Sequence, residues 1–155
     1  MTLHRELTEA EWEDFIKSNR HGILAFGGDQ PYAIPMGYQY RNRCLLLGFV
    51  TADSRKKMEC LQRSPNICFT ICRPRWATEG LKNPCTTIIV EGELVPVTDR
   101  SAYGFPARLP EAMTKLGIEL MRIQSKSISG RQCTRKPCEL FEMKRETSAG
   151  AYGKP

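Results

Sequence analysis

Apolar positions near the amino terminus recur at helical spacing: Trp12, Phe15 and Ile16 share one face of a segment that opens with Thr8-Glu9-Ala10-Glu11. That tetrad is a capping box, in which a threonine hydroxyl and a glutamate carboxylate satisfy amides the first turn leaves without partners. Leu7, just ahead of the cap, is placed to staple onto Trp12, and the helix is predicted to run to about Ser18. From Gly22 the period changes to two. Gly22–Phe26 reads as a short strand, Gly27-Gly28-Asp29-Gln30 as a turn, and Pro31–Tyr40 as an alternating strand. Tyr32, Ile34, Met36, Tyr38 and Tyr40 fall on one face of it, and Ala33, Pro35, Gly37 and Gln39 on the other. A nearly bare face with Pro and Gly inside a strand marks either an edge strand or a place where something approaches the backbone closely.

Arg41-Asn42-Arg43 makes the next turn and Cys44–Val50 the next strand. Arg55–Arg63 reads as a short helix with Met58 and Leu61 inward, stopped by Ser64-Pro65-Asn66. Ile67–Cys72, Thr86–Val97 and Ile118–Ser129 are further strands, the last with a break in its alternation near Met121 that suggests a bulge. Arg73–Pro84 is a loop holding Trp76, and Asp99–Gly117 contains one helix starting near Pro110-Glu111. Six or so short antiparallel strands with tight turns and a few peripheral helices predict a mainly β protein whose sheet closes as a barrel. Residues 1–130 are read as one domain, and 131–155, polar and rich in Gly, Lys and Arg, as a C-terminal arm. The absence of βαβ alternation and of G-x-G-x-x-G argues against a Rossmann nucleotide site.

The chain has 155 residues, 41% hydrophobic and 26% charged, an ordinary balance for one globular domain. Runs such as Cys44–Val50 fall far short of the roughly 18–20 apolar residues that span a bilayer. The acidic, amphipathic amino terminus is unlike a signal peptide, so a cytoplasmic protein without membrane contact is expected. A net charge of +6 suits an anionic partner. The cations are dispersed apart from Arg55-Lys56-Lys57 and Arg131–Lys136, and no nucleic-acid-binding motif is visible, so a small phosphorylated ligand fits better than nucleic acid. Seven cysteines, an odd number without a Cys-x-x-Cys pair, argue against a disulfide framework. His4 and His21 are remote from zinc-like spacings; Cys133-x4-Cys138 in the polar arm is the place where a metal or redox role would sit.

Thr51-x-x-Ser54-Arg55-Lys56-Lys57 carries the candidate chemistry. It joins a strand to a helix, where several backbone amides lack intrahelical partners. Each cation at an exposed helix amino terminus is unfavourable by about 0.3–1 kcal/mol, so three in a row look wrong for stability. They make sense if a dianionic phosphate occupies the turn, held by amides, hydroxyls and cations together. A solvated basic helix face is the alternative.

With these residues stand His21-Gly22-Ile23-Leu24-Ala25, Pro31-Tyr32-Ala33-Ile34-Pro35-Met36, Leu61 with Ser64-Pro65-Asn66-Ile67, and Ile89-Val90-Glu91-Gly92-Glu93. In order and spacing the set resembles the FMN-binding split β-barrels related to pyridoxamine 5′-phosphate oxidase, most closely the branch of nitroimidazole-resistance proteins. The resemblance spans Leu7–Pro74 and Thr86–Asp99. It implies a homodimer with FMN at the subunit interface. Arg55, Lys56 and Lys57, with Ser54 and with Thr51 as a hydroxyl donor, would hold the phosphate. The isoalloxazine ring would lie along Pro35, Met36, Phe49 and Val50, and Thr87 stands where relatives place a polar ring contact. Trp76 is either a ring cover or a core or interface residue.

Two departures narrow the reading. Many nitroimidazole-resistance relatives carry a histidine at the end of the third strand, before the phosphate loop, where Leu47-Gly48-Phe49-Val50 offers none, so histidine-dependent chemistry is not expected. The C-terminal Arg and Trp of a true pyridoxamine-phosphate oxidase have no match in Arg131–Pro155, so vitamin B6 is not expected as substrate. The resemblance implies an FMN-dependent oxidoreductase that passes electrons from a reduced donor to a small electrophilic acceptor such as a nitro compound or quinone, with no side chain singled out as catalytic. The alternatives are a non-enzymatic FMN carrier or sensor, or the same barrel holding haem or the deazaflavin F420.

Overall fold

The computed structural model describes residues 4–50, 55–73, 85–108 and 110–134. Thr51, Ser54, Trp76, Cys138 and most of the C-terminal arm lie outside them. Eight strands form one sheet: β1 (His4–Glu6), β2 (His21–Phe26), β3 (Tyr32–Gly37), β4 (Gln39–Arg41), β5 (Cys44–Val50), β6 (Asn66–Arg73), β7 (Thr86–Pro96) and β8 (Ile118–Cys133). Among the described residues three α-helices accompany them, α1 (Glu9–Ser18), α2 (Arg55–Arg63) and the short α3 (Glu111–Lys115), with one 3-10 turn at Ser101–Tyr103. Every pairing is antiparallel, in the order β3-β2-β6-β7-β8-β5-β4, with β1 added to β8.

That order explains the shape. β3 and β4 stand at opposite ends of the path, yet only Tyr38 separates them in the chain. The sheet must therefore curl and bring its two ends near each other without pairing them, giving an antiparallel half-barrel of the split-barrel type. Tyr38 is also why one predicted strand becomes two. Its ring is buried edge-on against Phe69, and its hydroxyl donates to the Ile16 carbonyl at 2.7 Å, which ties the bend to α1. Burial pushes the Tyr38 phenol up to about 12, so it remains a donor at any ordinary pH. The β4–β5 hairpin turns through Asn42 and Arg43, both at positive φ, as a two-residue hairpin of right-handed twist requires.

α1 begins as its sequence dictates. Thr8 caps it and exchanges hydrogen bonds with Glu11 in the full box. Phe15 and Ile16 are buried and plug the curled sheet, whose interior is filled by Leu24, Leu47, Phe49, Phe69, Ile71, Ile88 and Val90 among others. The first added strand, β1, escapes the alternation pattern because three exposed residues carry no burial signal.

The break in the last strand falls elsewhere than near Met121. Met121 and Ile123 point inward, as do Ile128 and Gly130 further along, so the parity flips between them. Glu91 pairs with Ser127 and Gly92 with Ser125, leaving Lys126 as the extra residue of a bulge. A Cβ at Gly92 would stand 2.2 Å from the Gln124 carbonyl oxygen, so only glycine permits this approach. The strand then continues past Ser129 to Cys133. Among the described residues no helix is long and apolar enough to cross a membrane.

Candidate functional site

Strand parity sorts the predicted ring-side residues. On β5, Leu45, Leu47 and Phe49 enter the core, while Leu46, Gly48 and Val50 point to the outer side. On β3, Tyr32, Ile34 and Met36 pack against the core and Ala33, Pro35 and Gly37 are exposed. β4 pairs with β5 at Gln39↔Leu46. Extending that register sets Gly37 level with Gly48 and Pro35 level with Val50, although no β3–β5 ladder forms among the described residues. The split in the barrel is thus a seam bordered by Pro35, Gly37, Gly48 and Val50, with Met36 and Phe49 behind it as core residues.

At one end of this seam lies the basic segment. α2 has no acidic residue in its first turn, and Met58, Cys60 and Leu61 hold it against the core. Its three leading cations part company. Lys57 places its ammonium 5.3 Å from the centroid of the Phe49 ring. Lys56 sits 4.4 Å over Tyr32, which stacks in turn on Phe26. Arg55 reaches forward one turn to Glu59 at 3.1 Å and is almost fully exposed, a pair worth little. Among the described residues the two lysines rest on neutral aromatic faces and have no carboxylate partner, so each keeps its charge available to an anion. Lys56, Arg55 and Arg63 also line a cleft of 380 Å³ closed on the other side by the Gly27–Tyr32 turn.

Thr87 does not join the seam within one protomer. It lies on β7, separated from β3 by β6 and β2, and its hydroxyl meets Cys72 Sγ at 3.6 Å. It belongs to the outer sheet face. There the register runs Pro35↔Ile23↔Thr70↔Ile89 across four strands. Ile23 is 50% exposed and Ile89 36%, which makes this an uncovered apolar row.

At the other end of the seam is a feature that sequence reading missed. A cavity of 550 Å³ opens over Gly48, with Leu46, Ile118 and Leu120 beneath it and Phe105 and Met113 above. Its walls come from well-separated segments, so no local pattern marks it; the glycine interrupting the apolar run Cys44–Val50 is the single sequence signal. Among the described residues no group of histidine, cysteine or acidic side chains is arranged to hold a metal ion. Cys133, the described half of the Cys133-x4-Cys138 pair, is half-buried and carries a free thiol.

Residues 8–132 match the family model described as pyridoxamine 5′-phosphate oxidase. A FAD-binding protein from Mesorhizobium loti superposes with a TM-score of 0.65 at 22% identity, over 86% of this chain and 100% of its own. A FAD-binding protein from Mycobacterium smegmatis gives 0.63 at 20% identity, over 83% of this chain and 98% of that one. A candidate 5-nitroimidazole antibiotic resistance protein from Bacteroides thetaiotaomicron gives 0.63 at 14% identity, over 83% of this chain and 87% of its own. Likeness at these identities establishes the shared split-barrel fold. Comparison with curated proteins gives no match.

Proposed function

The chain belongs to the pyridoxamine 5′-phosphate oxidase family, through its match over residues 8–132, and from that premise we propose that it binds FMN and acts as an oxidoreductase. One observation carries the reading. The seam between β3 and β5 presents a bare backbone edge at Pro35, Gly37 and Gly48, and the cations of α2 stand at its end. A planar ring with a phosphate on a flexible tail matches that arrangement of apolar slot and positive charge. Arg55, Lys56 and Lys57 would hold the phosphate, and Pro35 and Val50 would back the ring.

The residues present fit the group chemically. Among the described residues both lysines are supported by rings rather than neutralised, and Pro35, Gly37, Gly48 and Val50, which border the slot, include no side chain bulkier than valine or proline. Bound FMN would supply a reversible two-electron carrier between a reduced donor and a small electrophilic acceptor. The chain's own contribution is position, exclusion of water from the slot, and positive charge.

The reading includes a homodimer. The row from Pro35 to Ile89 leaves two isoleucines uncovered, and a second copy laid against it would bury both. Thr87 shares that face and would reach a flavin only across such an interface. A second flavin is favoured by one feature. The 380 Å³ cleft beside the Gly27–Tyr32 turn is lined by Arg55, Lys56 and Arg63 against the carboxylates of Asp29 and Glu59, and has room for a second phosphate on its three cations. The neighbours from M. loti and M. smegmatis are described as binding FAD.

An absorbance spectrum of the protein after gel filtration with added FMN or FAD tests the cofactor, and chromatography of the acid-released nucleotide identifies it. Two flavin bands that persist and bleach with a reduced nicotinamide are expected. A protein that stays colourless with both nucleotides would sink the proposal. Light scattering is expected to give a dimer for the native chain and a monomer for Ile23→Lys.

A further inference from the structure

The cavity over Gly48 is separate from the basic segment, yet shares the seam with it. Parity places Gly48 and Val50 on one side of β5, and Gly37 and Pro35 on one side of β3. A molecule in this cavity therefore lies end to end with anything occupying the slot at Pro35 and Val50. The cavity's size, 550 Å³, is that of a small-molecule site.

Its wall is held open by specific contacts. Arg41 donates to the carbonyls of Tyr103 and Gly104 at 3.1 and 3.2 Å and stacks 4.4 Å over the Phe105 ring. The Asn42 amide donates to the Ala102 carbonyl. The segment that carries Phe105 is thus pinned to the β4–β5 hairpin instead of collapsing onto the sheet. Leu46 is almost fully buried, although it points away from the main core and belongs to none of its cluster. Met113, on α3, leaves 43% of its surface exposed above the opening. The result is an apolar chamber with a partly uncovered apolar lid.

Two charges enter this apolar lining, both positive: Arg20 and Arg100. Among the described residues no carboxylate lines the cavity and neither guanidinium has a side-chain partner. Arg41, by contrast, is committed to Tyr103, Gly104 and Phe105. Guanidinium forks bind carboxylates in two-pronged geometry, and do so most strongly beside apolar surface.

We propose that the chamber over Gly48 binds a flat aromatic or conjugated molecule bearing a carboxylate, its body between Leu120 and Phe105 and its anion on Arg20 and Arg100. Read as the electron acceptor's place, it rests on the flavin-binding function proposed above; as a binding site for an organic anion, it stands without it. Neutral acceptors of the same shape would enter but lack the anchor.

Calorimetric titration of the native protein, flavin-loaded and flavin-stripped, with 4-nitrobenzoate and its neutral counterpart 4-nitrobenzamide tests this. The carboxylate is expected to bind about tenfold more tightly. The paired substitution Arg20→Gln with Arg100→Gln is expected to abolish that preference while leaving the neutral compound's affinity unchanged. Gly48→Val is expected to abolish binding of both. A Cβ at Gly48 meets its nearest atom, Ile118 Cγ2, at 3.9 Å, so the strand accepts it and the added methyl groups enter the chamber. Equal affinity for the two compounds, a preference that survives the paired substitution, or binding that survives Gly48→Val would each overturn the proposal. Flavin retention is read separately from visible absorbance. Loss of flavin binding with the carboxylate preference intact removes the flavin reading alone; flavin retained without the preference removes the chamber alone.

Discussion

The two ends of the β3–β5 seam are built from opposite materials. At the α2 end, charge comes from consecutive residues, Arg55, Lys56 and Lys57, and lies on exposed or aromatic surfaces. At the Gly48 end, the lining is apolar and comes from β4, β5, β8 and the segment from Arg100 to Met113, with two isolated arginines. The first end could be found by reading along the chain; the second exists only after folding. A site that must hold a phosphate can be local, because a helix start and a few cations suffice. A site that must exclude water cannot, because enclosure needs several walls.

The largest expected effect breaks the basic end. Arg55→Ala together with Lys57→Ala removes two charge-assisted contacts, each worth about 1.5–3 kcal/mol to a bound phosphate. FMN affinity is expected to fall by about 100-fold or more, measured by flavin fluorescence quenching, and by less in higher salt. Binding of 4-nitrobenzoate in the chamber should be unchanged. If both affinities fall together, the two ends are one site and the contrast between them is wrong.

Next in size is damage to the frame on which both ends depend. A Cβ at Gly22 would lie 2.5 Å from Phe69 Cζ and 2.8 Å from the Thr70 carbonyl oxygen, with rigid neighbours on both sides. Gly22→Ala is expected to cost about 2–3 kcal/mol by denaturant unfolding. Here flavin and aromatic affinities, measured in the fraction that remains folded, should change little. A frame defect and a site defect are thereby distinguished.

The same contrast explains what the sequence could disclose. The capping box at Thr8–Glu11, the alternation of Pro31–Tyr40 and the run Cys44–Val50 are local signals, and the folded elements fall where they predict, except that the bend at Tyr38 divides the second into two strands. β1 was invisible because an exposed three-residue strand has neither period nor bulk. The bulge was misplaced because the apolar residues around Met121 mimic a break, whereas the true parity flip occurs at Lys126 among serines that carry no hydrophobic signal. Phe49 and Met36 were legible as neighbours of the seam, but their inward direction follows from the β5 and β3 burial patterns. The chamber over Gly48 had one local clue, a glycine in a strand, and needed Arg20 and Arg100 brought together from 80 positions apart to be recognised.

A smaller effect sharpens the basic end. Tyr32 supports Lys56 at 4.4 Å and is itself stacked on Phe26. An exposed cation–π contact is worth about 0.5–1 kcal/mol. Tyr32→Leu keeps the apolar packing and removes the platform, so flavin affinity should weaken by only about two- to fivefold. Because Lys56 also lines the 380 Å³ cleft, the loss should be larger for FAD than for FMN if that cleft takes a second phosphate. Equal losses would confine the nucleotide to the start of α2.

The smallest effect belongs to a charge cluster remote from both ends, and it serves as their control. Arg5 forms a two-pronged contact with Glu11 at 2.8 and 3.1 Å, while Glu11 also accepts from the Thr8 amide. The Arg5 guanidinium, and then the Thr8 amide, pull the Glu11 carboxyl down from 4.5 to about 2. A carboxyl lowered by folding contributes stability that is complete above the unfolded value and disappears as pH falls through the folded one. That contribution is therefore present at neutral pH and lost between about 4.5 and 2. Glu11→Gln should flatten acid unfolding across that window, slightly because the pair is exposed. Flavin and 4-nitrobenzoate affinities at neutral pH should stay where they were. A change in either would mean that α1 transmits charge to the seam through Tyr38 and Ile16, and the independence of the two ends from the rest of the barrel would have to be given up.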